Sequence, residues 1–215
     1  MQENKDKGFY DIDWDWDEKS VLKTWGVEEL FNLRNLQQRK LFLSEEIDEY
    51  VIDNIVRHIL QYNADDKSIP VENRKPILLY VSSNGGSVDA GFELIDVIRE
   101  SKTPVYTINM GWQYSMGFLI GIAGHKRFAT KSAKFLMHDG TNFVINSAAK
   151  AQDQLEFNKK FEQRVKNYVL ERTNITSELY DQKQRVEWYM LADDAKNLGV
   201  TDYIIGEDCT LDDII

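Results

Sequence analysis

The chain has a single cysteine, Cys209, and only three histidines among 215 residues. One thiol cannot close an internal disulfide, and so few cysteines and histidines leave no cluster spaced as a zinc site requires. A reducing compartment and a metal-free chain are the expectation. Positive charge is also short: 26 Lys and Arg face 36 Asp and Glu, a net charge of -10, with no local basic stripe. Attraction to nucleic acid or to anionic lipid is therefore not expected. Long apolar runs are missing as well. FLIGIAG (118–124) is far too short to span a bilayer, and the first nineteen residues, MQENKDKGFYDIDWDWDEK, contain no apolar core of a leader. These absences point to a cytoplasmic protein.

What the chain does have is the composition of a folded domain. Hydrophobic residues make up 42% and charged residues 29%, with 10 Phe, 10 Tyr and 5 Trp, which excludes disorder as the general state. The length suits one domain with a sizeable core. Residues 1–35 read as an N-terminal extension, with alternating acids and aromatics in DIDWDWDE (11–18), and residues 36–215 as the single folded domain.

From Glu45, the residues Ile47, Val51, Ile52, Ile55, Val56, Ile59 and Leu60 recur at helical spacing, and the polar segment 63–76 ends the stripe. PILLYVSS (76–83) reads as a strand, NGG as a turn, and VDAGFELIDVIRES as a helix with Ala90, Leu94, Ile95 and Ile98 on one face. The layout repeats in PVYTINM (104–110), GWQYS (111–115) and MGFLIGIAG (116–124), as strand, turn and helix. Two crossover units in succession predict an α/β fold. KRFAT (126–130) and AKFLM (133–137) are short strands, and 148–174 is one long helix carrying Leu155, Phe161, Val165, Tyr168 and Val169.

The glycine-rich turn SSNGGSVDAG (82–91) is not a nucleotide cradle, because it lacks both the Gly-Lys-Ser/Thr of a phosphate loop and the G-x-G-x-x-G spacing of a dinucleotide fold. It remains a turn whose amides can approach a substrate closely. Ser115, just before an apolar helix, has two readings: an N-cap, or a nucleophile. His138, past the strand AKFLM, lies where α/β sites collect, while His58 and His125 read as structural residues without an evident partner. A Ser and a His need an acid to orient the imidazole, and the residues alone do not choose one.

Residues 77–140 resemble the proteolytic subunit of the Clp protease. SSNGGSVDAG is similar to that family's N-S-P-G-G-S-V-x-A-G, SMG (115–117) to its nucleophile motif, and KRFATKSAKFLMHDG to its K-R-x-x-x-P-x-x-x-x-M-I-H-Q. MLADDAKNLGVTDYII (190–205) resembles its F-M-S-A-x-E-A-x-x-Y-G-L-V-D. The resemblance implies a repeated strand-turn-helix fold of the Clp and crotonase type, with 148–174 as a projecting handle. It implies Ser115 as nucleophile, His138 as general base, the amides of Gly86 and Met116 as oxyanion hole, and Glu187 as the orienting acid. It further implies heptameric rings of identical chains stacked as a tetradecamer, polypeptide substrates, and an AAA+ Clp unfoldase that consumes the ATP, with no cofactor held by this chain.

The sequence departs from the family pattern at several places: Glu187 stands for Asp, Asn84 for the Pro of the turn, Asp139-Gly140 for Gln-Pro, and Val186 for an Arg. Other readings of the same residues are a noncatalytic ring subunit, a Ser-Lys peptidase or phage capsid-maturation protease using Lys126, Lys131 or Lys134, and a crotonase-type hydratase or isomerase. Poor resemblance over 1–35 leaves the axial gate and unfoldase docking of the family as expectations only.

Overall fold

The computed structural model describes residues 26–140 and 147–214. The acidic aromatic stretch 11–18 and the axial-gate expectation lie outside them. Helix α1 (Val27–Gln37) runs across residue 35, where the extension was expected to end. It leads into β1 (Lys40–Leu43). A π-helical turn, Ile52–Val56, runs straight into α2 (Arg57–Asp65). Then come β2 (Ile77–Val81), α3 (Val88–Glu100), β3 (Val105–Asn109), β4 (Trp112–Tyr114) and α4 (Met116–Gly121). They are followed by β5 (Lys126–Thr130), β6 (Lys134–Met137), α5 (Ala148–Arg172) and α6 (Ser177–Lys183). The chain closes with β7 (Trp188–Leu191), α7 (Ala192–Asn197) and β8 (Tyr203–Ile205).

Five strands form an all-parallel sheet in the order β1-β2-β3-β5-β8, and three form a second sheet in the order β4-β6-β7. This is the α/β architecture that two successive crossover units imply. Along β2, Ile77, Leu79 and Val81 enter the main core with Ile55, Ile59, Leu94, Ile95 and Ile98 of the helices. The alternate residue Leu78 joins a smaller cluster on the opposite face with Ile108, Phe128 and Ile214, against which Tyr80 packs. Both faces of β2 are thus covered, which is why its sequence is a continuous apolar run rather than an alternating one. No helix among the described residues is long and apolar enough to cross a membrane.

Two expected elements differ. The segment Glu45–Glu49 is not helical: Ile47 pairs as an isolated bridge with Gly86, and the regular helix begins only near Tyr50. The expected turn GWQYS contains β4, whose three residues pair in parallel with Lys134–Leu136. Its interior-facing residue is the buried Gln113, so no apolar alternation marks it in the sequence.

The long helix α5 is embedded only through its C-terminal half. Tyr168 and Val169 are buried. The Tyr168 hydroxyl donates to Leu119 O at 2.9 Å, and Arg172 Nη2 donates to Gly124 O at 2.7 Å. Upstream, Leu155 and Phe157 are 46% and 65% exposed. The helix therefore stands out from the body at the end where no described residue covers its apolar side chains.

Candidate active site

The second sheet brings the predicted residues to one edge. β4 and β6 run in parallel with Tyr114 opposite Leu136, while β6 and β7 are antiparallel with Met137 opposite Trp188. Ser115 follows β4, His138 follows β6 and Glu187 precedes β7, all at the same edge of this sheet, and past His138 the pairing shifts, with Asp139 N donating to Gln184 O at 2.7 Å. The Ser115 N–H holds the first pairing in place by donating to Leu136 O at 2.9 Å. Three residues distant in sequence are thus gathered at the ends of three adjacent strands.

Ser115 occupies φ 53°, ψ −119°, a left-handed conformation that costs a non-glycine residue on the order of 1–3 kcal/mol. Only Arg39 shares a positive φ among the described non-glycine residues. The strain arises where the chain must turn from β4 into α4 within one residue, and it turns the side chain out of the strand's alternation, as at a nucleophile elbow. The hydroxyl does not cap α4, so the capping reading of Ser115 fails although the residue occupies the capping position.

The glycine turn lies against this elbow. Gly85, at φ 104°, is so close that a Cβ built on it would fall 2.8 Å from Ser115 Cβ and 3.0 Å from Met116 N. Gly86, at φ 147°, is pinned from the other side, where Ile47 N donates to Gly85 O at 2.9 Å and Ser87 N donates to Ile47 O at 2.6 Å. Those two bonds use the groups on either side of Gly86 and leave its own N–H out of the ladder. The Met116 N–H, in the first turn of α4, likewise has no intrahelical acceptor. The buried Ser83 supports the turn, its hydroxyl donating to Glu45 O at 2.6 Å and accepting from Gly85 N at 3.1 Å. Among the described residues the amides of Gly86 and Met116 thus have no acceptor; Met116 directly follows Ser115, and Gly86 directly follows the Gly85 that packs on it.

His138 is half-buried and Glu187 exposed. No hydrogen bond joins Ser115 to His138 or His138 to Glu187 among the described residues. Catalytic contacts are often long in a free enzyme and shorten in the substrate complex. The Glu187 carboxylate instead accepts from the Tyr189 hydroxyl at 2.8 Å. Tyr189, in β7 two residues after Glu187, escaped sequence reading.

The lysines of the Ser-Lys reading are elsewhere. Lys126 Nζ sits 5.3 Å from the Tyr106 ring centroid, and Lys131 Nζ pairs with Glu207 at 2.6 Å. Lys134 is paired with Trp112 at the far end of β6, about 10 Å of strand from the elbow. His125 does have a partner: its Nδ1 accepts from Val105 N at 3.0 Å. Burial holds His125 below the usual histidine range, so it is a neutral structural acceptor. His58 is lowered too, through burial and then the charge of Arg57.

Residues 28–208 match the sequence profile of the Clp protease family. Among characterised proteins, the chain is 31% identical over 180 residues to a protein named ATP-dependent Clp protease proteolytic subunit 2 from Treponema pallidum, the match covering 83% of this chain and 87% of that one.

Proposed function

The chain belongs to the Clp protease family, and from that premise we propose that it is the proteolytic subunit of an ATP-dependent protease, a serine endopeptidase that cleaves unfolded polypeptides inside a chamber of stacked rings. The observation that supports this reading is the strained Ser115 at the end of β4, with His138 and Glu187 at the matching ends of the neighbouring strands β6 and β7. His138 takes the Ser115 proton as the hydroxyl attacks the scissile carbonyl, and then gives it to the leaving amine. The N–H groups of Gly86 and Met116 hold the oxyanion, a role in which one donor is worth about 100 to 1000-fold in rate. Glu187 orients the imidazole and stabilises its cation, and water hydrolyses the acyl-enzyme.

The ring assembly completes the proposal. Identical chains form heptameric rings that stack face to face through α5, whose exposed N-terminal half supplies an unsatisfied apolar surface. Unfolding is the work of a partner AAA+ Clp ATPase in the cytoplasm. The glycine turn here serves the oxyanion and not a nucleotide, so ATP belongs to the partner.

Fluorophosphonate labelling of the assembled protein tests the chemistry. Ser115 should carry the label, and Ser115→Ala should lose both the label and peptide cleavage. An assembled particle that neither labels nor cleaves would make this chain a noncatalytic ring subunit.

A further inference from the structure

Glu187 differs from the other members of the site in what holds it. Ser115 is fixed by backbone strain and by its bond to Leu136, and His138 is half-buried. Glu187 is exposed. A glutamate reaching from a strand end has three side-chain torsions, and an exposed one is held mainly by its hydrogen bonds. An orienting acid must nevertheless hold one geometry, because the imidazole is only as well aimed as the carboxylate it donates to.

We propose that Tyr189 is the positioning residue of this acid, its hydroxyl fixing Glu187 through Oε2 so that Oε1 is presented to His138. The inference rests on the triad reading above. Its geometry is direct: the Tyr189 hydroxyl donates to Glu187 Oε2 at 2.8 Å, and Oε1 accepts from no described residue. Glu187 immediately precedes β7 and Tyr189 lies within it, at the same edge of the sheet as His138, which immediately follows β6.

Tyr189 is held in turn. Its ring meets the Tyr114 ring edge to face, with centroids 6.0 Å apart and planes at 89°, a favoured aromatic geometry. Tyr114 immediately precedes Ser115, so the clamp ties the anchor of the acid to the strand that carries the nucleophile. The donor is also dependable, since the bond to Glu187 pushes the Tyr189 phenol above its ordinary range, and it stays protonated wherever a peptidase of this kind works.

Tyr189→Phe keeps the ring contact and removes the hydroxyl. The expected result is a fall in kcat of about five- to tenfold, as befits one hydrogen bond to a charged group at an exposed site, with KM unchanged within about twofold. In a Glu187→Ala background, the same substitution should change kcat by less than about twofold, because the group it acts through is gone. A Tyr189→Phe enzyme as fast as the parent, or one equally impaired in both backgrounds, would overturn the proposal while leaving Ser115 labelling intact. Loss of labelling in the parent enzyme, or Glu187→Ala without effect on kcat, would instead bring down the triad reading itself.

Discussion

Gly85 and Ser115 are in contact without a side chain's room between them: a Cβ on Gly85 would stand 2.8 Å from Ser115 Cβ and 3.0 Å from both Met116 N and Tyr114 O. Two of those three atoms are backbone, so no rotamer change relieves the overlap. Gly85 also sits at φ 104°, which a Cβ makes costly. Gly85→Ala must therefore displace the Met116 N–H from the glycine turn. Peptide cleavage is expected to fall by at least about 100-fold, the loss typical of one misplaced oxyanion donor. Gly111→Ala is the matched control, since its nearest contact would be Ser82 Oγ at 3.9 Å, and it should leave cleavage within about twofold. Equal activity in the two variants would refute the assignment of the turn.

Ser115 gives a second prediction because its side chain does no structural work. Removing a serine that caps a helix costs about 1 kcal/mol. Here the hydroxyl makes no cap bond, and alanine must adopt the same strained backbone. Ser115→Ala should leave stability in urea within about 0.5 kcal/mol of the parent while abolishing cleavage. A destabilisation of 1 kcal/mol or more would restore the capping role.

Far from the site, Asp66 is 1% exposed and accepts from Arg39 Nη1 and Nη2, each at 2.6 Å, and from the Thr103 hydroxyl at 2.8 Å. Burial alone would raise its pKa, but the hydrogen bonds from Arg39 and Thr103, with the charges of Arg39 and Arg74, outweigh it and hold the carboxyl below its ordinary 3.8. A depressed folded pKa means that the unfolded chain binds the proton first as pH falls. The stability from this group is complete above the ordinary value and is lost as pH drops through the folded one. Asp66→Asn should cost about 3 kcal/mol near neutrality, the lower end for a broken buried pair, since Arg39 keeps some solvent. Urea titrations should find that gap closing below about pH 4. A gap of constant size down to pH 3 would show that the cost is steric and not electrostatic.

Much of this arrangement was legible in the sequence, for reasons that also explain what was not. KRFAT reads as a strand and is one, residue for residue. The long helix was expected at 148–174 and spans Ala148–Arg172, since length and spacing are local properties. Ile47 misled because its spacing fits the helical stripe, whereas its position is decided by a bridge to Gly86 about forty residues away. β4 was hidden by the buried polar Gln113. Glu187 could be found only through the family resemblance, as nothing local separates it from other surface acids. Its partner Tyr189 required the strand itself, because a spacing of two has meaning only once the segment is known to be extended.

The exposed half of α5 supplies the last prediction. Phe161, which packs edge to face on Phe92 with centroids 5.1 Å apart, and Tyr168 lie on the stripe that anchors the helix to the body. Phe157 is one turn further out on that stripe and 65% exposed among the described residues. Covering that much of a phenylalanine is worth about 2 kcal/mol per copy, a gain that the proposed stacking of rings would repeat at every copy. Phe157→Asp would remove it and place a charge in the same interface, while asking nothing of the isolated fold. Light scattering behind size exclusion should then find particles of half the parent mass, with far-UV circular dichroism and single-ring assembly retained. A variant that still forms the full parent particle would exclude this face of α5 from the contact between rings.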